Sequence, residues 1–434
     1  MQLSEEQVLN LAPDESSKKA GKELSTPSKW VSKGISERAL WGECQGSGSK
    51  PYQTQVDLSN LAFKCSCPSR KFPCKHGLGL LLQYSRNTQA FSVQDEPAWV
   101  VDWISKRAEK EEKKSEKTEK PVDEAAQVKR AKAREQNVEA GMEELMLWLK
   151  DIVRKGILDM PGKDGSFFYT MSKRMIDAQA PGLAGMVKAL AAVPFYKEGW
   201  QSCFMDQLLR IYLVASGYRN REKLPEIIKE DIKTWIGFTQ SQEELKERAG
   251  LEDDWLVIGK QIVEEDNLTT ERNWLYGAKS KRYALVLQFS VRGQGISFSL
   301  TPGMWIQAEL VFYPSIYPIR AIIKKQVSTN CNNNIQAFDG WQQVAAQETE
   351  IFAQLPFANE RPFIIQQLTP AYYNNQWWLC DREKRMVQIK EDYHHLYTLL
   401  SVSGGAALNM AVLGRENIYE PLGVWLGENY ISIN

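Results

Sequence analysis

The sequence predicts an α+β fold: a small N-terminal ββα module, a charged linker, a helical middle domain and a mostly β C-terminal domain. Three observations predict this order. Closely spaced cysteines and a histidine lie between a strand-like and a helix-like pattern near residue 70. Lys, Arg and Glu dominate the stretch from 106 to 136, and after Trp255 the apolar residues change from helical spacing to alternation. A length of 434 residues also favours two or three domains.

Composition divides the chain into five predicted segments. They are a polar N-terminal arm at 1–29, the small module at 30–105, a charged linker or exposed helix at 106–136, the helical domain at 137–252 and the mostly β domain at 253–434. The linker has no apolar stripe to bury, so we expect it to be solvated. No internal repeat of fixed period is visible.

The charges balance over the whole chain, with 54 Lys and Arg against 54 Asp and Glu. This balance excludes a chain-wide attraction to nucleic acid or to a membrane surface, but it allows a local patch. No apolar stretch approaches the length that spans a bilayer. The N-terminal residues also lack the basic region and apolar core of a signal peptide. We therefore expect a cytoplasmic protein without a membrane partner.

The first module begins with alternating apolar residues on both sides of a run rich in glycine and serine, at 46–50. A phosphate-binding loop would need the spacing G-x-x-x-x-G-K-[ST] and a following helix, and both are missing. The run therefore predicts a hairpin turn between two strands.

Cys65, Cys67, Cys74 and His76 form the pattern C-x-C-x6-C-x-H. Three thiolates and one imidazole are the ligands of a closed tetrahedral zinc site. Because Cys65 and Cys67 are two residues apart, both would point to one face of an extended strand. The pattern predicts one zinc ion (Zn2+). Since four protein ligands leave no open coordination position, we expect this ion to be structural and not catalytic.

The residues after His76 predict a helix. Leu78, Leu81 and Leu82 have the i, i+3, i+4 spacing of one helical face. Pro68 stops the preceding strand, and Pro73 sets the backbone of the chain that enters the second ligand pair. The predicted order is strand, loop and helix, with the metal between the strand end and the helix start.

Other interpretations of the cysteines are weaker. Seven cysteines in 434 residues are too sparse for a disulfide framework, and their number is odd. Cys44 is a possible substitute ligand, although a packed thiol is favoured. Cys203, Cys331 and Cys380 have no histidine near them in sequence.

The pattern C-x-C-xn-C-x-H followed by a helix resembles the SWIM zinc finger. The preceding Trp41-Gly42-Glu43-Cys44, Gly46-Ser47-Gly48 and Pro51-Tyr52 resemble the hairpin before this motif in bacterial SWIM-domain proteins. The resemblance extends over roughly residues 30–90, a span set by the motif and its flanks. SWIM fingers occur beside chromatin-remodelling ATPases, Mutator-type transposases and ubiquitin-ligase components. The resemblance thus implies nucleic-acid binding or protein interaction.

The finger segment is locally basic. Between Leu58 and Gln94 there are five Lys or Arg residues and no Asp or Glu. These residues either offset the charge of about −1 on a zinc ion with three thiolates, or they face phosphates. We favour contact with DNA or RNA. The predicted contact residues are Lys64, Arg70, Lys71 and Lys75. The alternative is an adaptor whose finger is a scaffold and whose body binds a protein partner such as an ATPase.

Evidence of catalysis in the sequence is slight. His394 and His395 follow Glu391 and Asp392, but adjacent side chains on a helix diverge by about 100°, so two neighbouring imidazoles do not easily chelate one ion. A polar helix surface is the favoured interpretation. We expect a non-enzymatic recognition protein, with an uncharacterised enzyme in residues 137–434 as the less favoured possibility.

Overall fold

The computed structural model describes residues 3–46, 50–59, 61–69, 71–116, 124–265, 268–291, 300–328 and 335–433. It confirms the α+β class: a small sheet with helices comes first, helices follow, and the C-terminal part is mostly strands. Every helix in these ranges is either too short or too polar to span a bilayer.

The N-terminal segment folds as two helices, α1 (Glu5–Leu9) and α2 (Glu15–Leu24). The side chain of Ser4 caps α1, and that of Asp14 caps α2. Both helices pack against α3 (Lys75–Arg86). The stretch predicted as a polar arm therefore contributes buried side chains to the core of the small module.

The small module is built on a four-stranded antiparallel sheet in which neighbours in sequence pair with one another. Its strands are β1 (Trp30–Ile35), β2 (Ala39–Cys44), β3 (Tyr52–Asp57) and β4 (Ala62–Cys65). The hairpin predicted around residue 48 is the β2–β3 connection, although residues 47–49 lie outside the described ranges. The predicted leucine face of α3 is confirmed, since Leu78, Leu81 and Leu82 are all buried.

The middle of the chain is helical. Its helices are α4 (Ala98–Glu116), α5 (Glu124–Lys155), α6 (Gly165–Asp177), α7 (Pro181–Leu190), α8 (Trp200–Arg219), α9 (Glu226–Ile236) and α10 (Gln242–Lys246). Helices α5 to α9 share one apolar core, to which Met142, Leu145 and Leu149 contribute as their spacing predicts. Val153 fits the same face but is 56% exposed, because it lies in the last turn of α5.

The first part of the β region is a closed barrel with the strand order β5-β6-β7-β9-β8. These strands are β5 (Leu251–Glu265), β6 (Leu268–Gly277), β7 (Tyr283–Val291), β8 (Trp305–Phe312) and β9 (Arg320–Ser328). All neighbours are antiparallel except β7 and β9, which run parallel where Leu285 faces Arg320. This parallel pairing closes the barrel.

The second part begins with α11 (Trp341–Gln354) and forms a six-stranded sheet. Its elements are β10 (Arg361–Tyr373), β11 (Gln376–Cys380), β12 (Met386–Ile389), α12 (Leu396–Ser403), β13 (Leu408–Arg415), β14 (Ile418–Leu426) and β15 (Asn429–Ser432). A parallel pairing of β12 with β14 joins the edge strand back to the sheet. Five strands thereby form a ring in the order β10-β11-β12-β14-β13, which has the same connectivity as the first barrel.

Apolar contacts join these parts. Leu256 and Trp274 of the first barrel share a core with Ile364, Leu413 and Leu422 of the second five-stranded ring. The small module shares a larger core with the first barrel, and the side-chain amide of Gln7 in α1 donates to the carbonyl of Gly303 at 2.9 Å. These contacts place the module beside the β region, although the two are far apart in sequence.

Candidate zinc centre

The four predicted ligands come from two adjacent elements of the small module. Cys65 is the last residue of β4, and Cys67 lies in the turn that follows it. Cys74 occupies the N-cap position of α3, and His76 is in the first turn of that helix. Cys67 therefore does not extend the strand as the alternation predicted. Pro68, which has no N–H to donate, follows it directly.

The four ligand atoms all lie within 4.8 Å of one another. The Nδ1 atom of His76 is 3.7 Å from the sulfur of Cys65 and 3.9 Å from that of Cys74. Zinc–sulfur bonds of about 2.3 Å and a zinc–nitrogen bond of about 2.0 Å would put S and N about 3.5 Å apart in a tetrahedron. The cluster therefore fits a zinc ion. Within the described ranges, it is the one group of three or more His, Cys, Asp or Glu residues close enough to hold a metal.

The surroundings of the cluster orient its ligands. Cys74 and His76 are buried, whereas Cys65 and Cys67 are half-buried. The hydroxyl of Thr54 lies 3.2 Å from the sulfur of Cys65, and the ring centre of Tyr52 lies 4.9 Å from that of His76, with the ring planes tilted by 42°. Groups that contact ligands in this way fix ligand orientation in metal sites. Sequence reasoning missed Thr54; its only signal is its position opposite Cys65 in the β3–β4 pairing.

The thiols are electrostatically coupled. Hydrogen bonds from Cys74 and then from His76 lower the pKa of Cys65 to about 4, against the opposing effect of burial. A hydrogen bond from Cys74 likewise lowers the pKa of Cys67 to about 6. Because Cys74 donates to both, its own pKa is raised. Two of the three sulfurs are thus disposed to be thiolates, the form that binds metals, and a metal would displace the proton of the third.

Comparison with known families agrees with this geometry. Residues 52–85 match the SWIM zinc finger. The part of the small module that holds the ligand cluster is therefore similar to this family, and we refer to the small module as the SWIM finger. Residues 133–236 match the SWIM-associated four-helix bundle domain, which here comprises most of α5 and all of α6 to α9. No curated protein matches the chain significantly, and no solved structure does.

The predicted basic residues of the SWIM finger differ in their surroundings. Lys64 on β4 and Lys75 at the start of α3 are exposed, and neither makes an ion pair with any residue in the described ranges. Lys71 forms an ion pair with Asp14 at 2.7 Å and donates to the hydroxyl of Ser16 at 3.0 Å. Arg70 lies outside the described residues.

A second basic residue of the SWIM finger also pairs with the N-terminal helices. The guanidinium group of Arg86 donates to the carboxylate of Glu5, with Nε 2.9 Å from Oε2. The acidic partners of Lys71 and Arg86 therefore come from residues 1–29. A count of charges between Leu58 and Gln94 could not reveal them, because they are more than 50 residues away in sequence.

The remaining cysteines and histidines lie apart from this cluster. Cys44 is fully buried at the end of β2 in the apolar core of the SWIM finger, as expected for a packed thiol. Cys331 lies outside the described residues. His394 and His395 are exposed, and α12 begins only at Leu396. The two histidines therefore precede the helix instead of lying on its surface.

Proposed function

We propose that this protein binds nucleic acid through the SWIM finger, in which one structural zinc ion fixes the end of β4 against the start of α3. The support is the position of two exposed lysines. Lys64 immediately precedes the ligand Cys65, and Lys75 lies between the ligands Cys74 and His76. A metal that holds the ligands would therefore fix the backbone at both lysines within one module. Phosphates are the partners that such fixed surface cations attract.

The proposed role of the zinc is to stabilise the fold. With three thiolates and one imidazole from the protein, the coordination shell is complete, and the ion joins two elements of a small core. Binding of structural zinc contributes on the order of 10 kcal/mol to folding in small modules. The proposal assigns recognition, and not catalysis, to the chain.

The test is a salt titration of binding to a duplex DNA probe and to a duplex RNA probe, with zinc-loaded full-length protein. The variant Lys64→Ala/Lys75→Ala should keep its zinc but bind with a shallower salt dependence. The slope of log K against log salt should fall by about 0.9 for each phosphate that the variant no longer neutralises, or about 1.8 for two on duplex DNA.

A matched control variant loses the same two positive charges at positions outside the SWIM finger. Lys150 on α5 and Lys188 on α7 are exposed and make no ion pair within the described ranges. The variant Lys150→Ala/Lys188→Ala should bind like the wild type. Equal slopes for the two double variants would contradict contact through the SWIM finger.

A protein-interaction adaptor is the second candidate, and one observation favours it. Leu209, Tyr212 and Leu213 on α8 follow the spacing of one helical face and are 51%, 41% and 42% exposed. An apolar stripe of this kind is a common docking surface for a partner helix. The adaptor would be favoured if the zinc-loaded protein bound neither duplex. Leu209→Ser/Leu213→Ser should then release a co-purified partner such as an ATPase, without loss of zinc.

A further inference from the structure

We infer that the second five-stranded ring has a binding surface for single-stranded nucleic acid on the outer side of β10, β11 and β12. The surface lies on different residues from the SWIM finger. The inference therefore goes beyond the proposed function, and different variants test the two.

The strands of the second ring are connected in a characteristic order. Counted along the chain, the strands of the ring follow the order 1-2-3-5-4, with the third and fifth parallel and α12 between the third and fourth. This is the connectivity of the five-stranded OB barrel, a class that binds oligonucleotides or oligosaccharides across its second and third strands. Since fold alone does not decide function, the side chains on that face must be considered.

The outer face of these strands has exposed aromatic side chains. Side chains alternate along β11 and β12, with Leu379 and Val387 directed into the ring and Trp378 and Met386 outward. Trp378 is half-buried and Met386 is 41% exposed. Tyr373, at the end of β10, is 64% exposed, and its carbonyl accepts the indole N–H of Trp378 at 3.0 Å. The face thus presents aromatic side chains, one of which is held by a hydrogen bond.

A fixed basic turn follows β11, three residues beyond Trp378 and at the opposite end of the strand from Tyr373. Asp381 is only 3% exposed, and its carboxylate accepts the backbone N–H groups of Glu383 and Arg385, both at 2.9 Å, and of Trp341 at 3.0 Å. This carboxylate holds the turn between β11 and β12. Because it points inward, it orders the turn without presenting its charge on the outer face.

Two cations of the turn are available to a ligand. Arg382 and Lys384 are exposed, and neither makes an ion pair with a described residue. The remaining acid of the turn, Glu383, pairs with Arg385. Cations in a turn of the same sheet as exposed aromatic rings suit a single strand, because its bases stack on the rings and its phosphates contact the cations. A duplex hides its base faces, and a neutral oligosaccharide has no phosphates, so a single strand fits this surface best.

The experiment uses the full-length, zinc-loaded protein and a fluorescent oligothymidylate of about 16 nucleotides, the upper site size for one OB barrel. Tyr373→Ala and Trp378→Ala should each weaken binding roughly 10-fold, the effect of losing one stacked base. Trp378→Phe retains an aromatic face and should restore most of the affinity. Arg382→Gln/Lys384→Asn should lower the salt slope by about 1.4, or 0.7 for each single-strand phosphate.

Folding and the SWIM finger are controlled separately. Thermal unfolding and zinc content should match the wild type for every variant. If Trp378→Ala fails to fold, the affinities of Tyr373→Ala and of Arg382→Gln/Lys384→Asn for oligothymidylate test the inference instead, because these three side chains are exposed. Lys64→Ala/Lys75→Ala should retain binding to oligothymidylate.

Three outcomes would overturn the inference. One is a wild-type protein that does not bind oligothymidylate, and another is folded ring variants that bind it like the wild type. The third is loss of binding only in the SWIM finger variant, which would leave the proposed function intact while removing the ring surface.

Discussion

The hydroxyl oxygen of Thr54 lies 3.2 Å from the sulfur of Cys65, directly across the pairing of β3 with β4. Because Thr54 is only 1% exposed, its hydroxyl pairs with the sulfur of Cys65 instead of with water. Its hydrogen bond also contributes to the lowered pKa of Cys65. The register of the sheet is thus linked to the metal ligand, because a slip of one residue would turn Thr54 to the opposite face.

Replacing Thr54 with valine should weaken zinc binding by about 10-fold, the lower limit for loss of a group that orients a ligand. Valine keeps the shape of threonine but cannot donate to the thiolate. Competition with a chromophoric chelator would measure the change. Thr54→Ser retains the hydroxyl and should bind zinc within about 3-fold of the wild type, a smaller change than loss of the donor. Equal affinities for valine and serine would show that the hydroxyl has no effect on the metal.

Replacing Cys74 with serine should abolish stoichiometric zinc binding. Cys74 supplies one of the four ligands, so its loss opens the coordination shell and removes the link through the metal between β4 and the start of α3. Metal analysis and hydrogen exchange across residues 30–90 would detect both effects. Cys203→Ser is the control, since Cys203 is exposed on α8 and lies outside the cluster. Full zinc content in Cys74→Ser would refute the ligand set.

The sequence was sufficient to predict the ligands and the helix after them because both are local. Cys74 and His76 are two residues apart, and the leucines of α3 have the spacing of one helical face. The change from helical to strand patterns near residue 255 likewise predicted the α+β class. Such signals depend on residues within one or two elements, where periodicity and ligand spacing are directly visible.

Long-range pairings could not be predicted in the same way. The ion pairs of Lys71 with Asp14 and of Arg86 with Glu5 join segments that have no common motif. The first barrel and the second ring have the same strand order, which depends on the parallel contacts β7–β9 and β12–β14. Strand patterns alone do not reveal which strands pair, so the shared strand order is not visible as a fixed period in the sequence.

Replacing Gly77 with alanine should destabilise the SWIM finger by about 1–3 kcal/mol, the usual cost of overpacking. A Cβ atom at this position would lie 2.8 Å from Cδ1 of Phe63, whose ring is buried between α3 and the sheet. Chemical unfolding of the zinc-loaded protein would measure the loss. Gly185→Ala on α7 is the matched control, because a Cβ there meets no atom within 4 Å. This control should be neutral or stabilising by up to about 1 kcal/mol. Equal effects at both sites would contradict close packing at Gly77.

Replacing Asp14 with asparagine should release Lys71 and strengthen the proposed binding of duplex by the SWIM finger. Asparagine caps helices as well as aspartate does, so α2 should remain intact. The gain should be up to about 5-fold, equivalent to the roughly 1 kcal/mol of a surface ion pair that no longer competes. The salt slope should become steeper by about 0.9 if Lys71 then contacts one phosphate.

The pKa of Asp14 predicts how the ion pair between Asp14 and Lys71 responds to pH. Hydrogen bonds from Lys71 and then from Ser16 lower the pKa of Asp14 below its usual range. The carboxylate therefore stays charged on mild acidification, and the wild type should gain no affinity from release of Lys71 as the pH falls towards the usual carboxyl range.

Fluorescence anisotropy at several salt concentrations would compare the wild type, Asp14→Asn and Asp14→Asn/Lys71→Ala. The double variant lacks the released ammonium group and should lose the gain; if it kept the gain, Lys71 would not be the residue that Asp14 restrains.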